Sequence, residues 1–214
     1  MKIIVTILLC IGAYMFGGFS TGLWVSRRAG KGDIRKLGSG SSGATNVLRI
    51  LGLHAGLTTF AGDLLKGVIV ALMGRLLARF MGLSAQQGAC LLSVCAVVGH
   101  IYPALEGFKG GKGVATAGGT FLVISPIAAV ATIACAVAVM ALTNIVSVGS
   151  LAGAAAFLIL AGLPALFRHQ PWLFFFCLAI LMIIGFAHRQ NIRRLIEGKE
   201  NKIDLHVHIS KVKK

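Results

Sequence analysis

The sequence predicts an all-α, polytopic membrane protein with seven transmembrane helices, its amino terminus outside and its carboxyl terminus in the cytoplasm. Of the 214 residues, 57% are hydrophobic and 13% are charged, about half the charged fraction of a typical soluble domain. Mean hydropathy is +0.87, and charge-free stretches of about 20 residues, enough for a membrane-spanning helix, recur along the chain. Because so few polar side chains are available to face water, lipid must surround much of the fold.

The net charge of +15 requires an anionic partner, since 21 Lys and Arg residues stand against six acids. Anionic headgroups, phosphorylated substrates and nucleic acid are the candidates. Nucleic acid is not expected, because no base-reading or aromatic elements alternate with the basic ones. The five cysteines lie in apolar runs without a C-x-x-C pair, so we interpret them as small buried side chains and expect no metal site and no cofactor.

Residues 3–25 form the first predicted span. This run is longer than the apolar core of a secretory signal, about 7–15 residues, and no basic cluster precedes it. The glycine-rich stretch 26–55 follows, with six basic residues and the single acid Asp33. By the positive-inside rule this stretch is cytoplasmic, which places the amino terminus outside.

Residues 57–80 and 80–105 are the second and third predicted spans. The second carries Asp63 and Lys66 near its inner end, within reach of the interface or of each other. The third returns to the cytoplasm and leads into a segment rich in glycine and lysine.

The count of seven rests on residues 113–167, which carry no charge. Three crossings in this region keep the basic carboxyl-terminal tail inside, whereas two would leave it outside. Breaks at Ser125-Pro126 and around residues 143–150 agree with three. The piece 114–125 is only about 18 Å long as a helix, so we expect it to be tilted, extended through Pro126, or re-entrant. A last span at 172–187 completes a single membrane domain, residues 1–200, followed by a basic cytoplasmic tail, residues 201–214.

The unusual polar sequence then falls on one membrane face, in three blocks and a short loop. Block 1, residues 38–49, matches G-x-G-x-x-G, but no strand precedes it, which argues against a dinucleotide fold. Its glycines can form a backbone nest for an anion, and the helix expected from Ala44 adds N–H groups. A flexible linker is the alternative. The candidate phosphate contacts in block 1 are Gly40, Gly43, Thr45, Asn46 and Arg49.

Block 2, residues 99–116, is a second basic nest followed by a helix. It is not a nucleotide-binding P-loop, because Glu106 and Gly113 occupy the positions of the first glycine and the Ser/Thr. An inner-face anchor is the alternative. His100 is expected to be a helix-end histidine bonded to the backbone rather than a base. The candidate phosphate contacts are Lys109, Gly110, Gly111, Lys112 and Gly113.

Block 3, residues 188–200, places His188, Asn191 and Arg194 on one helical face. An imidazole, an amide and a guanidinium together can orient a hydroxyl and a phosphate. The alternative is an ordinary basic interfacial helix. No G-x-S-x-G elbow is present, and no His is followed four residues later by an Asp, so the sequence specifies no serine nucleophile.

Together the three blocks resemble the bacterial acyl-phosphate-dependent glycerol-3-phosphate acyltransferases, the PlsY family. The likeness extends from the first span to about Glu200, and the loop with Ser147 and Ser150 also fits. One departure is Ser41, where the family usually has Asn. The family's topology, with seven helices and the amino terminus outside, agrees with the count made from charge.

The resemblance implies transfer of an acyl group from acyl-phosphate to the 1-hydroxyl of sn-glycerol 3-phosphate, giving lysophosphatidic acid and phosphate, at the cytoplasmic face of the bacterial inner membrane. It implies catalytic roles for Ser39, Ser150, His188 and Asn191, and substrate contacts from the block residues above together with Glu200. Membrane lipid is an expected partner, and a monomer is favoured although the sequence leaves the oligomeric state open. Direct attack without an acyl-enzyme is our hypothesis, with either the leaving phosphate or His188 as the base. A small anion or phosphate transporter is the alternative function, since broken helices and basic groups also suit a translocation path.

Overall fold

The computed structural model describes residues 1–202; residues 203–214, most of the predicted tail 201–214, lie outside the described residues. Within residues 1–202 the structure is helical, without strands. Short 3-10 turns lie at Ile34–Lys36 and Ala104–Glu106, and a π-helical turn lies at Leu158–Gly162. The α-helices are α1 Lys2–Gly17, α2 Thr21–Arg28, α3 Ala44–Leu51, α4 Leu53–Met81, α5 Ala85–Ile101, α6 Val114–Ile124, α7 Pro126–Thr143, α8 Val146–Phe157, α9 Leu163–Phe167, α10 Pro171–Ala187 and α11 Arg189–Ile196.

The structure confirms the expected fold class, an all-α protein with helices that can cross a membrane. By length and hydropathy, four segments of residues 1–202 can cross a bilayer, or five if α10 and α11, bent by 62°, count as one. The four are Lys2–Arg28, Ala85–Glu106, Pro126–Thr143 and Val146–Phe167. The count of seven and the orientation of the termini stay predictions.

The first predicted span is not one continuous helix. The chain breaks between α1 and α2, where Ser20 caps α2 by accepting a hydrogen bond from the Leu23 N–H at 3.3 Å. At the end of α1, Gly17 packs so closely on α5 that a Cβ there would lie 2.2 Å from the Ala96 carbonyl oxygen. The sequence prediction missed this break, although a glycine pair at Gly17-Gly18 and the capping residue Ser20 are local signals for it.

Small residues bring the central helices into close contact, as is common in membrane bundles. On α4, Gly67 abuts the Thr116 carbonyl of α6, and Gly74 abuts the Gly88 carbonyl of α5. The expected break after the short piece is also present, since α6 ends at Ile124 and Pro126 begins α7. The carbonyl of Ile124 accepts a hydrogen bond from the Gln86 side chain, 2.7 Å away in the first turn of α5. The end of α6 therefore lies beside the start of α5.

The loops that carry blocks 1 and 2 are tied together at the other end of the bundle. The Arg35 guanidinium pairs with the Asp33 carboxylate at 2.8 Å and donates to the Lys109 carbonyl at 2.9 Å. Arg27 pairs with Glu106 at 3.1 Å. These contacts hold the first loop against the second and so bring two blocks of the predicted site into one place.

Candidate functional site

A cavity of about 300 Å³ opens where the three blocks meet. Eleven of the residues selected from the sequence line this cavity: Ser39, Gly43, Thr45, Asn46, Arg49, Lys112, Gly113, Ser150, His188, Asn191 and Glu200. Five others lie nearby without lining it: Gly40, Lys109, Gly110, Gly111 and Arg194. Apolar side chains from α4 and α7, among them Leu57, Phe60 and Met140, line the rest of the cavity.

Three helices begin at the cavity wall. Gly43 precedes α3, Gly113 precedes α6, and Ser147 lies in the first turn of α8. The first residues of all three helices line the cavity. Because unpaired N–H groups and the helix dipole favour negative charge at a helix amino terminus, three such ends facing one cavity favour an anionic ligand.

Asn46 shapes the loop of block 1. Its Oδ1 accepts a hydrogen bond from the Ser39 N–H at 2.8 Å, and its Nδ2 lies 2.8 Å from the Ser41 carbonyl and 3.0 Å from that of Leu37. The side chain is 1% exposed. Asn46 therefore fixes the backbone that presents Ser39 to the cavity, and Arg49 follows one turn further along α3.

The glycines of block 2 close the end of α5. The N–H groups of Gly110 and Gly111 donate to the carbonyls of Ile101 and His100, both at 3.1 Å. These two donors are thereby engaged within the protein, and what they contribute is the position of Lys112. Burial lowers the pKa of the Lys112 ammonium to about 8, while the negative charge of Glu200 opposes that shift.

His188 ends α10 and is 1% exposed. Its Nδ1 lies 2.8 Å from the Ile184 carbonyl oxygen. A carbonyl can only accept, so Nδ1 carries a proton, and Nε2 is an acceptor whenever the imidazole is neutral. In its neutral form His188 thus offers the cavity a basic nitrogen.

Glu200 connects block 3 to α8. Its carboxylate accepts hydrogen bonds from the Asn191 amide at 2.5 Å, the Arg194 guanidinium at 2.8 Å and the Ser147 hydroxyl at 3.1 Å. Burial raises the pKa of Glu200, but these hydrogen bonds outweigh burial and the net shift is downward. Glu200 is therefore an anion at neutral pH, surrounded by donors.

Four polar residues that line the cavity were not among the site residues selected from the sequence: Ser41, Asp63, His100 and Ser147. The expected hydrogen bond from the His100 side chain to backbone is not found within residues 1–202, where its Nδ1 instead faces Asp63 Oδ1 at 3.7 Å, beyond hydrogen-bond distance. The sequence analysis noted Asp63 as an ionisable residue near the inner end of an apolar span, a signal of function, but did not assign it to the site. Within residues 1–202, no group of three or more His, Cys, Asp or Glu side chains is arranged to hold a metal ion.

The sequence model of a family described as "Glycerol-3-phosphate acyltransferase" matches residues 7–198, nearly the whole chain. The chain belongs to the glycerol-3-phosphate acyltransferase family. It is therefore an enzyme, and the resemblance inferred from the three blocks is confirmed.

Curated members of the glycerol-3-phosphate acyltransferase family are similar over almost their full length. The protein from Clostridioides difficile (strain 630) is 39% identical over 206 residues, which are 95% of this chain and 98% of that protein. The Geobacter sulfurreducens protein is 42% identical over 190 residues, covering 89% and 93% of the two chains.

Solved structures of a glycerol-3-phosphate acyltransferase share the fold. The crystal structure of PlsY (YgiH), an integral membrane glycerol 3-phosphate acyltransferase, in its glycerol 3-phosphate form has a TM-score of 0.82 and 33% identity, covering 94% of this chain and 96% of that one. The lysophosphatidic acid form of PlsY has a TM-score of 0.79. A fold shared at this level supports an integral membrane protein.

Proposed function

We propose that this enzyme transfers a fatty acyl group from acyl-phosphate to the 1-hydroxyl of sn-glycerol 3-phosphate, releasing lysophosphatidic acid and inorganic phosphate. The observation that carries the proposal is the meeting of Arg49, Lys112 and the starts of α3, α6 and α8 around one cavity. Both substrates bring a phosphate of about −1.5 to −2 charges, and this cavity offers cations and N–H donors to both.

The acyl chain is proposed to lie along the apolar side of the cavity. Leu57 and Phe60 of α4 line that side and are about half exposed at the bundle surface, which faces lipid. An alkyl chain can therefore leave the cavity sideways between α4 and α7 without crossing a polar barrier. The acyl-phosphate carbonyl would then lie at the boundary between the apolar and basic sides.

The chemical step is proposed to be direct. The glycerol hydroxyl oxygen attacks the acyl carbonyl carbon, the bond from that carbon to the phosphate oxygen breaks, and the leaving phosphate takes up the hydroxyl proton. In the bound state His188 Nε2 accepts a hydrogen bond from the hydroxyl and orients it, before the proton passes to the departing phosphate. Asn191, and Ser150 once its hydroxyl turns away from the Val146 carbonyl, stabilise the oxygen that gains charge. Arg49, Lys112 and Ser39 hold the phosphates.

Glu200 is assigned a positioning role. As a carboxylate it repels a phosphate, so direct substrate binding is disfavoured. Its hydrogen bonds to Asn191, Arg194 and Ser147 instead hold block 3 against the start of α8.

The proposed function is tested by comparing acyl donors. Purified enzyme in lipid nanodiscs is incubated with labelled glycerol 3-phosphate and, in parallel, with acyl-phosphate, acyl-CoA or acyl carrier protein. We expect labelled lysophosphatidic acid with acyl-phosphate only. Product from acyl-CoA at an equal rate would contradict the proposed donor, and no product from any donor with folded protein would contradict the function.

Activity is expected to depend on the charge of Lys112. Its pKa is lowered to about 8, so the ammonium is charged below that pH and neutral above it. We expect kcat/KM for glycerol 3-phosphate, which reports the free enzyme, to fall about tenfold per pH unit above pH 8. Lys112→Arg cannot lose its charge in this range. Profiles from pH 6 to 10 should therefore differ between the two enzymes, and identical alkaline limbs would contradict the assignment.

Seven crossings with the cavity at the cytoplasmic face complete the proposal, as an enzyme of the bacterial inner membrane that acts as a monomer. Successive helix ends alternate between the cavity and the opposite end, where the end of α6 meets the start of α5. The basic loop around Lys36 lies at the cavity end and is assigned to the cytoplasm.

Cysteine labelling in spheroplasts tests this orientation. Lys36→Cys should resist a membrane-impermeant maleimide and His169→Cys should react, each compared with the unsubstituted protein. Labelling of Lys36→Cys alone would reverse the orientation.

A further inference from the structure

Three ionisable side chains form a buried cluster beside the cavity. Asp63, Lys66 and His100 are 2%, 4% and 6% exposed. Lys66 Nζ lies 2.9 Å from Asp63 Oδ1 and donates to the Phe19 carbonyl at 2.8 Å, at the break between α1 and α2. Charged groups inside membrane helices are costly and mark function. None of the three takes part in the acyl transfer described above.

His100, in block 2, connects this cluster to the glycine and lysine residues of the same block. Its Nδ1 lies 3.7 Å from Asp63 Oδ1. On the other side, a Cβ added to Gly111 would lie 2.1 Å from His100 Nε2, and the next two nearest atoms also belong to this imidazole. Gly111 also donates its N–H to the His100 carbonyl at 3.1 Å. The ring thus lies between Asp63 and the residue that precedes Lys112.

We propose that His100 is a positioning residue, packed between Asp63 and Gly111, that sets the backbone at Gly111 and thereby places the Lys112 ammonium in the cavity. Lys66 completes the arrangement, because its ammonium balances the charge of Asp63 and also donates a hydrogen bond to the Phe19 carbonyl. The phosphate site is in this way supported from within the membrane-embedded part of the bundle. This inference rests on the proposed function, in which Lys112 binds a substrate phosphate.

A double-mutant cycle tests this coupling in the full-length enzyme. His100→Ala and Lys112→Ala are each expected to lower kcat/KM for glycerol 3-phosphate about 100-fold, the scale of loss that follows from a displacement of about 1 Å. If His100 acts through Lys112, the kcat/KM of the double variant should be no more than about threefold below that of the less active single variant. Additive losses, or wild-type kinetics in His100→Ala, would overturn the inference.

A second cycle uses the contact between the imidazole and Gly111. Gly111 does not have a positive φ, so alanine suits its backbone and the ring is the obstacle. In the wild-type background, Gly111→Ala should lower kcat/KM at least about tenfold. In the His100→Ala background, where the ring is absent, the same substitution should lower kcat/KM less than about twofold. Gly118→Ala is the matched control, because nothing lies within 4 Å of its added Cβ.

The two cycles separate failure of this inference from failure of the proposed function. If the wild-type enzyme forms no lysophosphatidic acid from acyl-phosphate, the proposed function is contradicted. An active wild type with additive cycles overturns only the role of His100. If His100→Ala does not fold, Gly111→Ala retains the imidazole, and wild-type kinetics in that variant would equally overturn the inference. Thermal unfolding of each variant identifies loss of fold.

Discussion

Replacing Arg49 with Ala is expected to lower kcat/KM for glycerol 3-phosphate about 1000-fold, and replacing it with Lys about 100-fold. The guanidinium can grip a phosphate with two parallel hydrogen bonds, whereas an ammonium is a point charge without that geometry. Arg49, the last residue of block 1, lines the cavity from the last turn of α3. Initial rates of labelled lysophosphatidic acid formation across a range of glycerol 3-phosphate concentrations measure the effect.

Arg28→Ala is the matched control for Arg49. Arg28 is exposed at the same end of the bundle and lies over the Trp24 ring at 5.1 Å, away from the cavity. Its replacement should change kcat/KM less than about twofold, since surface substitutions have small effects. Equal losses in the two alanine variants would indicate a general effect of surface charge. A fully active Arg49→Lys enzyme would contradict a bidentate contact between Arg49 and the phosphate.

His188→Ala is expected to lower kcat about 100-fold with little change in KM for glycerol 3-phosphate. The loss falls on kcat because His188 Nε2 orients the attacking hydroxyl rather than binding the phosphate. His188→Asn separates this role from a structural one. Its amide can keep the donation to the Ile184 carbonyl but has no acceptor at the Nε2 position, so it should be as slow as the alanine variant.

His188→Gln completes this series. Its amide oxygen can reach the Nε2 position and accept a hydrogen bond, yet it cannot act as a base. If the leaving phosphate takes the proton, His188→Gln should be at least about tenfold faster than His188→Asn. Equal, near-zero rates in both would show that His188 itself removes the proton. His54→Ala, at an exposed histidine on α4, is the control and should match the wild type.

Much of the site was predictable because the relevant signals are local. Loops with many basic residues and few acids assigned one membrane face to the three blocks, and a glycine-rich turn before a helix indicated an anion site at Arg49 and Lys112. Family membership and the membrane class are confirmed by the comparisons and the fold. The roles of individual residues stay predictions.

Other features depend on contacts between distant segments, which a sequence does not specify. Gly17, just before the break between α1 and α2, packs closely on Ala96 of α5. The N–H groups of Gly110 and Gly111 were expected to face a phosphate, but they close the end of α5 instead. Pairing of Glu200 with Ser147 joins positions 53 residues apart. Each requires knowledge of which helices are neighbours and in what register.

The central claim is that one cavity holds both phosphates and that acyl transfer is direct. It is tested most directly with acyl-phosphate labelled in both the acyl chain and the phosphate, mixed with stoichiometric enzyme before and after addition of glycerol 3-phosphate. The account predicts that labelled phosphate appears only after the addition, in equal amount to lysophosphatidic acid. Release of phosphate without glycerol 3-phosphate, with acyl label bound covalently to the protein, would contradict it.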